Sequence, residues 1–318
     1  MAKYGDPLYW DKRYKEQEGV MFDWLENYES IKPLIEELVN KDGRVLVPGC
    51  GNAMFSEDMY DDGYENIDNC DISSIVIEQM KARNKNRTKM RYDVMDMKGM
   101  SYPSNYYDLV IDKGAIDTLL CGACPFYDAA FMTKEVQRVL KPNGYYMVIS
   151  YGTPENRVLH FKRPHLSFEI QQYTIEEEEK KESRHYIYVC KKLPNADEVS
   201  NNNWVKVKEA LRNFDESKNA YGELNELIEN ENVIVEICNT IYEIIKGDII
   251  DLDKVEHSIN SILGKVGSKV TLDKNQIEKI CNQFVSDDPN YVATIVRKAL
   301  EEKRDELEES INENYKGI

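Results

Sequence analysis

The run Arg44-Val45-Leu46-Val47-Pro48-Gly49-Cys50-Gly51-Asn52 constrains this chain more than any other segment. It is a short apolar stretch of buried-strand character that runs straight into two glycines one residue apart, and the helix-like Met54 to Tyr60 follows. The same alternation continues downstream. Ile67 to Asp71, Tyr107 to Asp112 and Tyr145 to Tyr151 read as further strands, with a third strand before Asp96 in the run Tyr92 to Met97. Ser73 to Arg83, with apolar Ile75, Val76, Ile77 and Met80, and Asp128 to Leu140, closed by Lys141-Pro142-Asn143-Gly144, read as helices between them. Strand, helix, strand in succession predicts an α/β fold with a parallel, doubly wound sheet. Ser167 to Gln172 and His185 to Lys191, separated by a charged tract from Glu176 to Arg184, predict a hairpin on the sheet edge.

The glycine loop carries the first chemical information. A loop bare of side chains lets backbone approach a nucleotide-like group, and the strand-to-helix turn can demand positive φ. Met54 stands where the dinucleotide fingerprint needs its third glycine, which argues against a pyrophosphate ligand. No Gly-Lys-Ser/Thr follows, so the loop is not a P-loop. Asp71 ends the second strand twenty residues beyond Gly51, where a carboxylate can accept both hydroxyls of a ribose. Asp96, after the third strand, stands where an adenine amino group would lie. Each acid alone could equally cap a helix or a turn, but their joint placement at strand ends favours a ligand. Adenosine without phosphates fits that order, and S-adenosylmethionine is such a molecule.

The runs Tyr9-Trp10-Asp11-Lys12-Arg13-Tyr14, Phe22-Asp23-Trp24, Val45 to Asn52, Asn69-Cys70-Asp71-Ile72-Ser73, Met95-Asp96-Met97 and Asp112-Lys113-Gly114-Ala115-Ile116-Asp117 together resemble one subgroup of the seven-strand methyltransferases. That subgroup contains the elongation factor 1-alpha lysine methyltransferases and the methyltransferase associated with endothelin-converting enzyme. The resemblance covers roughly residues 5 to 193. It implies a seven-stranded Rossmann-like sheet that binds S-adenosyl-L-methionine and releases S-adenosyl-L-homocysteine. By the same resemblance, Gly49 and Gly51 would approach the methionine part, Asp71 the ribose, and Ile72, Asp96 and Met97 the adenine, with Lys113 beside the cofactor. Trp10, Tyr14 and Trp24 would fold over the site from the N-terminal segment and shield the sulfonium, or pack ordinarily against the sheet. Pro48 departs from the small or aliphatic residue common at that place, and removes no ligand group.

Methyl transfer is an in-line displacement in which the protein aligns the acceptor and excludes water; no metal is required. A lysine acceptor must first lose its proton, which desolvation beside a carboxylate favours. Asp117 and Asp112, after the fourth strand, are the candidate carboxylates, although Asp117 could instead cap the helix Thr118-Leu119-Leu120. Tyr151, after the fifth strand, is expected to line the acceptor channel or the core. Cys121-Gly122-Ala123-Cys124 is a lone C-x-x-C without the second ligand pair that zinc needs. His160 and His165, five apart, form no helical ligand pair and are expected to face solvent or the acceptor loop. The acidic run Glu176 to Glu179 is expected to be a solvated loop, with a basic protein substrate as its alternative contact.

Composition narrows the partners. Forty-one Lys and Arg against 58 Asp and Glu leave a net charge of -17 over 318 residues, the wrong sign for gripping nucleic acid. No apolar run is long enough to span a membrane, the first residues do not read as a signal peptide, and the seven cysteines suit reduced thiols. A soluble, cytoplasmic protein is expected. Around Pro194 to Asn203 the composition turns polar and turn-prone, which predicts a linker and two domains, 1–195 and 196–318. Beyond it, apolar residues recur at helical spacing in 204–214, 220–230, 232–246, 252–263, 273–285 and 289–314, with stripes such as Ile234, Ile237 and Ile241. Thr271-Leu272-Asp273 and Asp287-Asp288-Pro289 read as helix starts. This helical half is expected to dock a partner or to oligomerise. The functional expectation is a methyltransferase acting on a protein lysine, such as one of elongation factor 1-alpha. A small-molecule N- or O-methyltransferase and an inactive interaction protein are the alternatives.

Overall fold

The computed structural model describes residues 4, 6–17, 19–176, 184–245, 251–282 and 289–316. They divide into two units, Met1–Arg212 and Asn213–Ile318.

Seven strands build the first unit: β1 (Val45–Pro48), β2 (Ile67–Asp71), β3 (Arg91–Val94), β4 (Tyr107–Lys113), β5 (Leu140–Ser150), β6 (Phe168–Glu176) and β7 (Arg184–Lys192). They form one sheet in the order β3-β2-β1-β4-β5-β7-β6. The first five strands are parallel, and β7 joins β5 antiparallel with β6 outside it. This is a doubly wound Rossmann-like sheet with an antiparallel edge. Its central strands β1 and β4 and the later part of β5 are largely apolar because both faces are covered. Val45, Val47, Leu109, Ile111, Met147 and Ile149 enter one hydrophobic cluster, while Leu46, Val110, Tyr146 and Val148 enter another.

Helices α1 (Pro7–Glu16), α2 (Tyr28–Leu38), α3 (Phe55–Asp61), α4 (Ser74–Arg83), α5 (Ala115–Leu119), α6 (Pro125–Val139) and α7 (Pro154–Phe161) flank the sheet. Their starts carry local signals. Asp6 accepts the Leu8 N–H at 3.0 Å, and Asn27 accepts the Ser30 N–H at 3.0 Å. The expected stop at Lys141 to Gly144 does not end a strand-free turn; it bulges out within β5. Tyr107 pairs with Leu140 but Leu109 pairs with Tyr145, so the four residues loop out, with Asn143 at φ 66°.

The polar stretch 194–203, expected as a linker, is the beginning of helix α8 (Ala196–Glu229), which carries the chain from the first unit into the second. Asp197 and Glu198 suit a helix N-terminus electrostatically, and Ala196, Val207 and Leu211 are buried along it. The run of asparagines lies on the turns between those buried positions, and its polarity masked the helical spacing.

The second unit continues with α9 (Glu231–Ile245), α10 (Leu252–Lys265), α11 (Lys274–Asn282) and α12 (Pro289–Lys316). One core cluster includes Leu224, Ile234, Ile237, Ile241, Val255, Ile259, Leu263, Ile277, Val296 and Leu300. The helix start at Asp273 is a reciprocal cap: its carboxylate accepts the Gln276 N–H and the Gln276 side chain accepts its own, each at 3.0 Å. Of the start expected at Asp287-Asp288-Pro289, the two acids lie outside the described residues, as do residues 177–183 of the charged tract and so all of its acidic run beyond Glu176. No helix among the described residues is long and apolar enough to cross a membrane.

Candidate active site

A cavity of about 430 Å³ opens in the first unit, in the size range of small-molecule sites. Its walls come from the loops after β1, β2, β3, β4 and β5 and from the N-terminal segment. Open α/β sheets bind ligands there, beyond the carboxyl ends of the strands and where the strand order reverses; in this sheet the reversal lies between β1 and β4.

The glycine loop is its floor. Gly49 has φ 64° and Gly51 φ 54°, a region that side chains rarely adopt. A Cβ on Gly49 would stand 2.7 Å from that of Ala115, and one on Gly51 would stand 2.9 Å from the Tyr14 hydroxyl. Asp71 is buried at the end of β2 and accepts the N–H groups of Gly51 and Ser73, each at 3.0 Å. Burial raises its pKa against the pull of those two bonds. A carboxylate in that position gains from further hydrogen-bond donors, and it lines the cavity together with Ile72, Asp96 and Met97. Asp96 also accepts the Lys98 N–H at 2.8 Å, so it shapes its own turn as well as facing the cavity.

The N-terminal segment covers the loop. Asn52 accepts the Phe22 N–H at 3.2 Å and donates to the Val20 carbonyl at 2.8 Å. Trp10 donates to the Tyr4 carbonyl at 2.8 Å and stacks on Tyr14 with ring centroids 6.0 Å apart. Trp10, Tyr14 and Trp24 all line the cavity. Sequence reasoning did not single out Arg13, whose guanidinium lies 5.6, 4.8 and 5.3 Å from the ring centres of Trp10, Phe22 and Trp24. It sat within the quoted Tyr9 to Tyr14 run, and a cation beside so many aromatics was the available signal. Lys113, at the end of β4, is ion-paired to Asp23 and donates to the Trp24 carbonyl at 2.6 Å. Burial lowers its pKa while Asp23 opposes the shift.

The two candidate carboxylates part company. Asp117 lines the cavity, but its oxygens are engaged. Oδ1 accepts from Ser150 Oγ at 2.6 Å and from Arg157 Nε and Nη2 at 2.9 and 2.7 Å, and Oδ2 accepts the Tyr151 N–H at 3.1 Å. Asp112 is fully buried and is not among the residues lining the cavity. It accepts the Ala115 N–H at 2.7 Å, the Ile116 N–H at 3.2 Å and the Tyr146 hydroxyl at 2.8 Å, and so holds the start of α5. Burial pushes its pKa up to about 7. Tyr151 is half exposed at the cavity wall, edge-on to His185, whose Nδ1 lies 2.8 Å from buried Glu26. Arg157, on α7, is a second residue that sequence reasoning missed; a basic residue just after the fifth strand was its only signal.

Cys121 is exposed at the cavity, and Cys124 precedes α6. His160 and His165 depart from expectation: both are buried. His160 packs 5.2 Å from Phe126 and His165 4.9 Å from Trp204, and burial lowers both pKa values, that of His165 to about 3. Their apolar neighbours on α6 and α8 are distant in sequence, which is why the local pattern read as surface.

The family description "Methyltransferase domain" matches residues 46–148, from β1 to β5. Residues 46–148 are a methyltransferase domain. The chain is homologous to EEF1A lysine methyltransferase 4 of Bos taurus, 28% identical over 180 residues that cover 54% of this chain and 71% of that protein. It is 35% identical to human eEF1A lysine and N-terminal methyltransferase over 167 residues, 51% of this chain but 24% of the relative's length. A solved SAM-dependent methyltransferase from Methanosarcina mazei aligns at 16% identity and a TM-score of 0.42, over 51% of this chain and 97% of its own. The shares aligned with these relatives amount to about half of the chain.

Proposed function

We propose that this methyltransferase takes S-adenosylmethionine as its donor and a lysine side chain of a protein, of the elongation factor 1-alpha kind, as its acceptor. The observation that carries the reading is the cavity: a floor bare of side chains at Gly49 and Gly51, bonded to a buried carboxylate. The residues fit the donor. Asp71 would hold the ribose hydroxyls, Ile72, Asp96 and Met97 would surround the adenine, and no lysine of a P-loop is present to receive phosphates. When bound, S-adenosylmethionine supplies a methyl group on a positively charged sulfur with a good leaving group.

The chain's own residues do the rest. Tyr4, Trp10, Phe22, Trp24 and Tyr151 wall the cavity with aromatic surface, which excludes water and favours the neutral form of an entering amine. Asp117, neutralised by Arg157 and bonded to the Tyr151 N–H, orients that wall. Lys113, paired with Asp23, fixes the covering segment onto the end of β4. The homologues' names support a protein acceptor, and a translation factor as substrate would place the enzyme in the cytoplasm. Neither nucleic acid nor a membrane is among its proposed partners.

Incubation of purified elongation factor 1-alpha with the chain and methyl-labelled S-adenosylmethionine tests the reading. Label on the protein band is expected. In a lysate supplied with the chain and the labelled donor, label on a small molecule other than the donor and none on protein would transfer the reading to a small-molecule acceptor, and absence of both label transfer and S-adenosylhomocysteine binding would reject catalysis.

A further inference from the structure

The order of the strands divides the cavity. Asp71 and Asp96 stand after β2 and β3, on one side of the glycine loop that follows β1, while Asp117, Tyr151 and Arg157 stand after β4 and β5, on the other. A nucleoside that uses the first two acids leaves the β5 side for the methyl acceptor. Tyr151 is an aromatic residue on that side and is 53% exposed. A ring so exposed swings between rotamers unless something holds it.

The backbone around Tyr151 is fixed by the first unit. Asp117 accepts the Tyr151 N–H at 3.1 Å, and Tyr188 donates to the Gly152 carbonyl at 2.6 Å. The ring is held from the neighbouring strand. β5 and β7 run antiparallel with Ser150 opposite Tyr186, so one further step along the ladder sets Tyr151 opposite His185. Their rings meet edge to face, with centroids 5.1 Å apart and planes at 87°.

His185 is buried and is not among the residues lining the cavity. Its Nδ1 lies 2.8 Å from Glu26 Oε1, and Glu26 Oε2 accepts the Ser30 hydroxyl at 2.8 Å. A carboxylate offers acceptors alone, so the imidazole N–H donates and the plane of the ring is set. A buried pair of this kind adds little net stability, since both groups give up water to form it; what it supplies is direction. Glu26 follows directly on Leu25, which lines the cavity at φ 61°. The orientation of Tyr151 is thereby tied to the seating of the covering segment.

We propose that the Glu26–His185 pair positions Tyr151 as the acceptor-side wall, so that an entering amine meets the methyl group in line only when the covering segment is seated; the inference rests on the methyl-transfer reading above. Glu26 and His185 are positioning residues, acting through Tyr151 on the alignment of the acceptor.

Steady-state transfer to the acceptor that the native chain labels, with S-adenosylhomocysteine titrated by calorimetry alongside, separates positioning from packing. His185→Leu and Glu26→Met are each expected to lower kcat about tenfold, the scale on which a misaligned acceptor slows transfer, while S-adenosylhomocysteine binding stays within about twofold. Glu26→Gln, a milder change that keeps an acceptor for the imidazole N–H, is expected to fall between native and Glu26→Met. Tyr151→Leu should lose about as much as His185→Leu, and the two together no more than either alone, because one route carries both effects. A crystal of His185→Leu should show Tyr151 in more than one rotamer. Additive losses in the double variant, a fall in S-adenosylhomocysteine binding as large as the fall in kcat, or Tyr151 in its native rotamer alone would show that His185 only packs the fold, and an unchanged kcat in His185→Leu would show that it is idle; each overturns the proposal. A native chain that binds S-adenosylhomocysteine yet methylates neither elongation factor 1-alpha nor any component of a lysate removes the acceptor reading and the proposal with it. One that binds no S-adenosylhomocysteine rejects the donor reading itself.

Discussion

Replacing Asp112 by Asn separates a buried structural acid from a catalytic one. The side chain is fully buried, and its three neighbours, the Ala115 and Ile116 N–H groups and the Tyr146 hydroxyl, all donate to it. Those donors favour the ionised form, yet burial outweighs them and lifts the pKa from the ordinary 3.8 to about 7. The native state therefore holds this proton more tightly than the unfolded chain does. The stability linked to it is fully present below pH 4 and is lost as pH rises toward 7, by about 4 kcal/mol at roughly 1.4 kcal/mol per pKa unit. Asn keeps an acceptor for the two N–H groups and offers the Tyr146 oxygen a donor, with no charge to bury. Urea unfolding of both proteins at pH 5 and pH 8 reads the difference, because titration of every other group cancels between them. The advantage of Asp112→Asn over the native protein should grow by about 2–3 kcal/mol between pH 5 and pH 8, part of the loss having already occurred at pH 5 because the unfolded carboxyl is ionised there. A variant equally destabilised at both values would mean that the ionised carboxylate is a net favourable cap, and would refute the reasoning.

Gly49→Ala should cost about 1–3 kcal/mol in urea unfolding, since it combines a left-handed backbone with a Cβ 2.7 Å from Ala115; an unchanged midpoint would show that α5 yields freely. Arg157→Met strands the Asp117 carboxylate, and Asp117→Asn in the same chain should recover part of that loss, a coupling of about 2 kcal/mol for a pair with side chains under a fifth exposed; additive losses would show that the pair is not coupled. A fragment ending at Arg212 should melt higher than one ending at residue 195, because the longer one retains buried Ala196, Val207 and Leu211 on α8; equal midpoints would place α8 outside the first unit's stability.

The sheet was legible because β1, β4 and the later part of β5 are short apolar runs closed by turn formers, and the glycine loop was legible because two glycines follow the first of these strands directly. The site acids were legible as a spacing, Asp71 after β2 and Asp96 after β3. What the sequence hid are properties of neighbours distant along the chain. Asp112 and Asp117 are alike in sequence, five residues apart at the end of one strand, but Tyr146 and the start of α5 bury the first, while Arg157 and Ser150 fix the second at the cavity. His160 and His165 look polar locally and are buried by Phe126 and Trp204. The asparagines of 201–203 look like a linker and ride on a helix whose buried side is spaced across four turns. Arg13 was in plain view, but its surroundings are three rings, two of which lie across the turn after α1.

The central claim is where and which way round the cofactor lies, and a crystal of the full chain grown with S-adenosylhomocysteine tests it most directly. Electron density should place the ribose hydroxyls within hydrogen-bonding distance of Asp71, with the backbone of Gly49 to Gly51 against the ligand. Density with the ribose away from Asp71, or a ligand bound only outside this cavity, would contradict the account.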